Sequence, residues 1–593
     1  MTIRTPHTVT TPSTPVDVET PNTTPVPAPV TVCLNKENIP ELPALSSVDP
    51  KTFEQWTEQV KASLVATGET FFEVGTNDNG EQVGLNEARL AVSLATLREV
   101  VNAAGAEAHV MRTRTSTNKA TKTTGLVAEV LVRRCGNGYA PVEVHVATVG
   151  NVDSGKSTLL GVLSSGSLDD GRGSARATVL HFPHERETGR TSSIGHRQLF
   201  YRTDGSIVNK PAGTATAAPV PATKCVALLD LAGHARYLKT TLFGMTGHHP
   251  DYAMLTVGAN MGVVGMTKEH LGITLALRVP ALFVVTKIDM CPDHILAETL
   301  TQLKRLAKAP GCRKLPFMVR TMDDVVVCAR NFAGNKLLPI FCVSNVTGAS
   351  IDLLHAFLNL VPTMHRWGER AAEPLQIDVD CDWSIPGVGT VVSGTIVSGT
   401  LDLHTPLVLG PDHAGAFVPI SLRNIRTQFG DCDHAVAGQA VTLAVRRLAR
   451  SAVQRGMVIV RPDTPVAPCM RFEAEVLVLY HSTTIVTGYE CVVHCNAVRQ
   501  SARVVAMDKP ILRSGDKAVV TFAFNYHPEI LPKNARVIFR DGHAKCIGRV
   551  LSTTPFLPSG ASASMTPSDA GTSAGFKKRS KKRVKNVTPI SKP

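Results

Sequence analysis

The sequence predicts a parallel α/β domain followed by two small β-barrels, with a further small region before it and unfolded ends. Three observations carry this. Apolar strand patterns alternate with helical ones from about residue 142. After about residue 370 the helices stop, and two successive blocks of short, Gly-punctuated β-segments follow. Runs of biased composition bound the chain. At 593 residues the chain exceeds what one core organises, and 43% hydrophobic against 19% charged residues is an ordinary globular balance, so several folded domains are expected.

In chain order, residues 1–50 are rich in Thr, Pro and Val and are expected to be disordered. Residues 51–140 read as a small, mostly helical region. Its segments FEQWTEQVKASLVATG and NEARLAVSLATLREVVNAAG space their apolar residues by three and four, and the basic, Thr-rich stretch Arg112 to Thr124 reads as a mobile loop. Residues 141–368 form the α/β domain, with VEVHVATVG, CVALLDLAG, DYAMLTVGA, ALFVVTKID and LPIFCVSN as its parallel strands. Ala, Thr and Pro fill Pro211 to Thr223 between two of them, which suggests a flexible hairpin insertion. Residues 372–463 and 469–554 are the two barrels, and 555–593 a disordered basic tail.

Several function classes are excluded by this composition. No apolar stretch approaches the length of about 18 residues that spans a bilayer, and the densest run, Ala281 to Val285, reads as a buried strand. The start lacks the apolar segment of a secretory signal. No membrane partner and a cytoplasmic location are therefore expected. The 13 cysteines contain no CxxC pair, which argues against a disulfide framework or a zinc ribbon, and Cys491, His494 and Cys495 read as strand packing. Of the formal charge of +13, residues 577–593 supply eight Lys or Arg and no acid. That tail has three open readings: phosphate neutralisation, a nuclear localisation signal that would add a nuclear fraction, or a solvated end.

At the end of the first strand of the α/β domain stands Gly150-Asn151-Val152-Asp153-Ser154-Gly155-Lys156-Ser157-Thr158, a full GxxxxGK(S/T) pattern. In such a loop the glycines let backbone N–H groups turn inward around phosphates, Lys156 reaches the β- and γ-oxygens, and the Ser157 hydroxyl ligates Mg²⁺. This predicts a nucleoside triphosphate site. Thr286-Lys287-Ile288-Asp289 at a later strand end selects the base: Asp289 can accept from the two N–H groups on one edge of guanine, which adenine lacks, while the Lys287 stem packs along the purine face. Asp230-Leu231-Ala232-Gly233 places an acid where it can hold Mg²⁺ through water and a glycine N–H where it can meet a γ-phosphate. His234 follows as a candidate to orient attacking water; the alternative is a histidine satisfied near the surface.

The motifs ATVGNVDSGKST, DLAGH and VTKID, in this order, resemble the translational GTPases, the elongation-factor group. GRTSSIG, DLAGHARYLKTTLFGMTGH, GMTKEHLG, VTKIDMCP, APGCRKLP and VSNVTG resemble more closely its GTP-binding protein 1 and 2 subfamily, and the likeness covers about 140 to 553. The resemblance implies a Mg²⁺-dependent phosphate-loop GTPase domain ahead of the two barrels. It implies that Lys156 and Ser157 serve phosphate and Mg²⁺, Asp230 and Gly233 form the second switch, His234 positions water, and Thr191 of GRTS closes on Mg²⁺ in the first switch. It also places Ser344, Asn345 and Val346 beside the guanine carbonyl. IPGVGTVVSGTIVSG, RGMV and FEAEVLVL are similar to the second and third elongation-factor domains. Three residues depart from the family pattern: Thr286 stands for the usual Asn, Asn345 for a common Ala, and Arg190 for an apolar residue that pairs with Val152 as a gate beside His234.

Two readings of function follow. In one, a monomer binds GTP and GDP, hydrolyses GTP, and holds aminoacyl-tRNA on the ribosome under control of the nucleotide. In the other, GTP stabilises a conformation that recruits RNA-turnover or surveillance factors, with hydrolysis incidental. A sulfate-activating nucleotide enzyme, which shares the plan of a GTPase followed by barrels, is a weaker third. Arg423, Arg426, Arg446, Arg447 and Arg450 form a loose basic group, equally a surface charge set or an RNA contact.

Overall fold

The structure is a computed structural model and describes residues 36–39, 41–77, 81–117, 123–135, 141–180, 182–208, 222–479, 484–541 and 543–556. Residues 1–35, 209–221 and 557–593 lie outside it, so the expectations for the Thr/Pro-rich start, most of the hairpin insertion and the basic tail fall on residues not described.

The first folded unit departs from the helical expectation. Strands Lys36–Ile39 (β1), Glu69–Val74 (β2), Ala106–Thr117 (β3) and Thr124–Arg134 (β4) form a sheet in the order β1-β2-β4-β3. Two helices, Pro50–Leu64 (α1) and Glu87–Ala103 (α2), are capped by Asp49 and Asn86, whose side chains each accept a backbone N–H at 2.8 Å. The stretch read as a mobile loop from Arg112 contributes the end of β3, paired antiparallel with β4 as far as Thr117. Within the range expected to be disordered, β1 pairs in parallel with β2.

The period of two in β2 and β4 explains why the sequence misled. One face carries Phe72, Val74, Val130 and Val132, which pack with Leu90, Leu97 and Val101 of α2. The other carries Glu69, Phe71, Glu73, Glu129, Leu131 and Arg133, all buried. Such charges normally mark a solvated face, but here they meet partners from far along the chain.

Those partners lie in the second unit. Strands Val142–Gly150 (β5), Gly195–Tyr201 (β6), Lys224–Asp230 (β7), Tyr252–Gly258 (β8), Ala281–Thr286 (β9), Leu315–Met318 (β10) and Leu337–Cys342 (β11) form one sheet in the order β10-β11-β9-β8-β5-β7-β6. All neighbours are parallel except β6, which runs antiparallel along β7. Neither edge strand, β10 or β6, is among the strands the sequence predicts. Every residue of β5, β8 and β9 is buried, as expected of central strands covered on both faces. The helices are Lys156–Ser165 (α3), Ser174–Ala177 (α4), Pro183–Thr188 (α5), Leu238–Gly247 (α6), Gly265–Leu277 (α7), Asp293–Lys308 (α8), Met322–Phe332 (α9) and Ile351–Leu360 (α10).

Phe71 and Leu131 of the N-terminal sheet join the same apolar core as Leu159, Phe332 and Phe357, so that sheet lies against this domain. Polar contacts reinforce the join. Glu69 accepts from Arg133 at 2.8 Å and from Lys224 at 2.9 Å, with all three side chains fully buried. Arg133 also donates to the Asn359 carbonyl at 2.9 Å. Burial pulls the Lys224 ammonium down to about 8 against the opposing pull of Glu69. Arg330 of α9 bridges Glu73 and Glu129 in a second cluster.

Beyond Arg370, eight strands between Gln376 and Val460 form one curled sheet, beside a two-stranded ribbon of Thr400–Asp402 and His434–Val436. The six strands between Cys469 and Pro555 close into a barrel. Cys491, His494 and Cys495 lie buried in one strand of this barrel, as strand packing requires. Among the described residues no helix is long and apolar enough to cross a membrane.

Candidate functional site

The carboxyl ends of β5, β7 and β9 open on one side of the sheet, where parallel α/β folds place their ligand crevices. From β5 the chain turns through Asn151 to Gly155 into α3. Gly150 (φ +152°) crosses the end of β8 so closely that an added Cβ would lie 2.4 Å from the Thr256 carbonyl oxygen, which only glycine tolerates. Thr286, in the usual Asn place, is fully buried and its hydroxyl donates to the Ser154 carbonyl at 2.8 Å, so it ties the end of β9 to the loop.

A cleft above this loop is lined by Val152, Asp153, Gly155, Lys156, Ser157, Thr158, Arg176, Gly189, Arg190, Thr191, Gly233, His234 and Lys287. Lys156 Nζ donates to the carbonyls of Gly150 (3.2 Å) and Asn151 (2.6 Å). Burial pulls its ammonium down to about 8, with Asp230 and Asp153 opposing. Gly233 passes so near that a Cβ there would lie 2.4 Å from Lys156 Nζ. A helix start, a loop and a strand end meet at one carboxylate: Asp230 Oδ2 accepts from Ser157 Oγ at 2.7 Å and from Thr191 Oγ1 at 3.1 Å. Asp230 Oδ1 is buried with no partner among the described residues, and burial raises this carboxyl, with Ser157, Lys156 and Thr191 opposing. Two hydroxyls beside a carboxylate with an unsatisfied oxygen form an all-oxygen donor set, the kind that suits a hard divalent cation.

His234 is half-buried on the rim. Its Nδ1 accepts the Arg236 N–H at 3.0 Å, so the neutral ring carries its proton on Nε2. Val152 and Arg190 line the cleft beside it.

Where the sequence predicts base recognition, Ser344 Oγ donates to Asp289 Oδ1 at 2.7 Å and accepts from the N–H groups of Val346 (3.2 Å) and Thr347 (3.0 Å). Asn345 is buried, and its carbonyl accepts from Asp169 N at 2.9 Å. Thus Asp289, Ser344, Asn345 and Val346 are brought together, outside the phosphate cleft itself. In the sheet after Arg370, Arg423, Arg446, Arg447 and Arg450 line one concavity, while Arg426 faces Asp431 at 3.8 Å.

Sequence reasoning missed two features. Glu185, 1% exposed, accepts both the backbone N–H and the hydroxyl of Ser192 and of Ser193, all within 3.0 Å. Burial would raise its carboxyl, but these four bonds outweigh that and hold it down at about 2. They fix the loop just after Thr191. The second feature is Arg176. No periodicity marks either residue, although the glycines of GRGSAR signal a tight polar turn.

Because the folded carboxyl lies below its ordinary value near 4.3, the stabilisation is complete above that pH and is lost as pH falls toward about 2. Glu185→Gln should therefore weaken this loop by about 2 kcal/mol at neutral pH. Limited proteolysis would read the effect as faster cleavage around 186–194, and the variant's loop should respond less to acid between pH 4.5 and 2.5 than that of the unmodified chain.

Together the fold and site define a phosphate-loop GTP-binding protein with two β-rich domains behind it, the plan of the translational GTPases. Residues 143–363 match the elongation factor Tu GTP binding domain family. The chain is 45% identical to GTP-binding protein 1 of Xenopus laevis, over 83% of its own length and 75% of that protein's. It is 41% identical to GTP-binding protein 2 of Homo sapiens over 86% of each. The chain belongs to the GTP-binding protein 1 and 2 family of translational GTPases. At the level of fold it is similar to translation elongation factor SelB from Methanococcus maripaludis in complex with the GTP analogue GPPNHP, with TM-score 0.50 and 18% identity over 70% of this chain and 81% of that one.

Proposed function

We propose that the protein is a Mg²⁺-dependent GTPase whose GTP form grips aminoacyl-tRNA and the ribosome, and whose GDP form lets go. The observation that supports this most is the convergence of Ser157, Thr191 and Asp230 within 3.1 Å of one another, because Thr191 and Asp230 belong to the two segments that must report a terminal phosphate. These three residues would hold Mg²⁺, which when bound neutralises charge on the phosphates. Lys156 gains an anionic partner when the polyphosphate arrives, and the Gly233 N–H meets the γ-phosphate. His234, with Nδ1 accepting the Arg236 N–H, donates its Nε2–H to orient the attacking water. Asp289 accepts from guanine, and Lys287 packs along the ring.

Hydrolysis by the chain alone is slow in this account, because positioning and charge stabilisation are completed by a large partner. Ribosomes should therefore stimulate turnover. Filter binding of charged and uncharged tRNA, with GTP and with GDP, tests the cargo. Preference for charged tRNA only with GTP is expected, and equal binding in all four arms would contradict the proposal. The arginines around Arg446 supply a candidate phosphate contact. The reading as an adaptor in mRNA turnover or ribosome surveillance draws on one observation, the N-terminal sheet fixed to the GTPase domain by buried ion pairs, which nucleotide switching itself does not need.

A further inference from the structure

We propose that Arg176 is a catalytic residue: its guanidinium, carried on the segment fixed to the phosphate-loop helix, stabilises the negative charge that develops on the terminal phosphoryl group during hydrolysis. This rests on the GTPase reading above and adds to it a group that none of the sequence motifs contains.

Arg176 lines the same cleft as Lys156, Thr191, Gly233 and His234. Four cations, Lys156, Arg176, Arg190 and Lys287, line that cleft, with Asp153 on its wall and Asp230 beneath Ser157 and Thr191 as the acids. Such a concentration of positive charge calls for a polyanion. Three other arginines that lie wholly or partly buried, Arg112, Arg133 and Arg330, each sit on a carboxylate within 3.1 Å. Arg176 is half-buried, and among the described residues its guanidinium has no ion pair and no hydrogen bond.

Its position is built. The guanidinium lies between two glycines: an added Cβ would fall 2.6 Å from its Nε at Gly173 and 3.0 Å from its Nη1 at Gly189. The backbone beneath it is tied down from three sides. Gly161 of α3 touches the turn so closely that a Cβ there would lie 2.2 Å from the Ala175 carbonyl oxygen. The buried Asp169 carboxylate accepts from the N–H groups of Gly171, Gly173 and Ala175 at 2.9 to 3.2 Å. Asp169 N in turn donates to the Asn345 carbonyl at 2.9 Å. Arg176 is therefore mounted on the phosphate-loop helix and the base loop, whereas the exposed Arg190 stands beside Thr191 in the loop that must move.

In the reaction the water oxygen bonds to the γ-phosphorus as the bond to the β–γ bridging oxygen breaks. The electron pair stays on that oxygen in GDP, and the protons of the water leave with the phosphate product. Arg176 exchanges no proton, and its planar fork can donate two N–H groups to oxygens whose charge grows in the transition state. A lysine cannot reproduce that fork.

The test compares Arg176→Ala and Arg176→Lys with the unmodified full chain, in single-turnover GTP hydrolysis with ribosomes and in binding of GDP, a non-hydrolysable GTP analogue, and GDP with aluminium fluoride. The expected result is hydrolysis slower by about 10²- to 10³-fold in both variants, affinities for GDP and the analogue within about threefold, and loss of the aluminium fluoride complex. Arg172→Ala, in the exposed part of the same segment, should behave as the unmodified chain. Hydrolysis unchanged in Arg176→Ala, with the aluminium fluoride complex retained, would overturn this proposal alone. So would a loss of GDP affinity parallel to the loss of rate. Absence of turnover in the unmodified chain would overturn the GTPase reading, and this proposal with it.

Discussion

Replacing His234 with alanine is expected to slow ribosome-stimulated GTP turnover by about 10²- to 10⁴-fold while leaving GTP affinity within about twofold. The imidazole stands on the rim of the cleft, and its Nδ1 is engaged by the Arg236 N–H at 3.0 Å, so the ring is held in one orientation with one nitrogen free. It takes no part in the contacts that hold Lys156 or join Ser157, Thr191 and Asp230, which is why affinity should survive. In the proposed role the ring acts on water only in the transition state, so its loss should affect the chemical step alone. Single-turnover hydrolysis with saturating ribosomes, beside equilibrium GTP binding, separates the two quantities. Equal turnover in the variant would remove His234 from its assigned role.

The largest effect on stability is expected from Glu69→Ala, at about 3–5 kcal/mol. Arg133 and Lys224 are both fully buried, and removing the carboxylate leaves two cations without water or an acid beside them. The join between the N-terminal sheet and the GTP-binding domain carries the cost, because Glu69 and Arg133 come from β2 and β4 while Lys224 opens β7. Urea denaturation followed by the fluorescence of Trp56, in α1, should show this region melting at lower denaturant. Replacing Glu69, Arg133 and Lys224 together with apolar residues of similar volume should restore much of the loss, since the penalty lies in unpaired buried charge. A midpoint for Glu69→Ala equal to that of the unmodified chain would contradict this account.

These two residues also show what could be read from the sequence and what could not. His234 follows Asp230 to Gly233 at fixed spacing, and the phosphate loop is one uninterrupted run between a strand and a helix, so short-range chemistry announced them. Asp289 and Ser344 are distant in sequence, yet each closely follows a strand whose pattern was plain. Glu69 gave no such signal. Its partners are Arg133 and Lys224, and on a strand that otherwise reads ETFFEV the charges resembled a solvent face. The same reason hid the sheet of residues 106–134, where Arg112 and Arg114 pair inward with Glu129 and Glu73, so that a basic, Thr-rich strand passed for a loop. Arg176 and Glu185 are defined by what surrounds them in space, and neither periodicity nor motif reports that. The first barrel block was legible as β-structure, but the sequence did not show that its eight strands form a curled sheet with a separate ribbon.

The central claim is that one terminal phosphate decides whether the loop through Thr191 and the segment from Asp230 to Gly247 are held together. Hydrogen–deuterium exchange of the full chain, with GDP and with a non-hydrolysable GTP analogue in Mg²⁺, tests it directly. Peptides covering residues 183–195 and 230–247 should exchange at least tenfold more slowly with the analogue, while β5 and β8 exchange alike in both. Identical exchange of those two segments in the two nucleotide states would contradict the account.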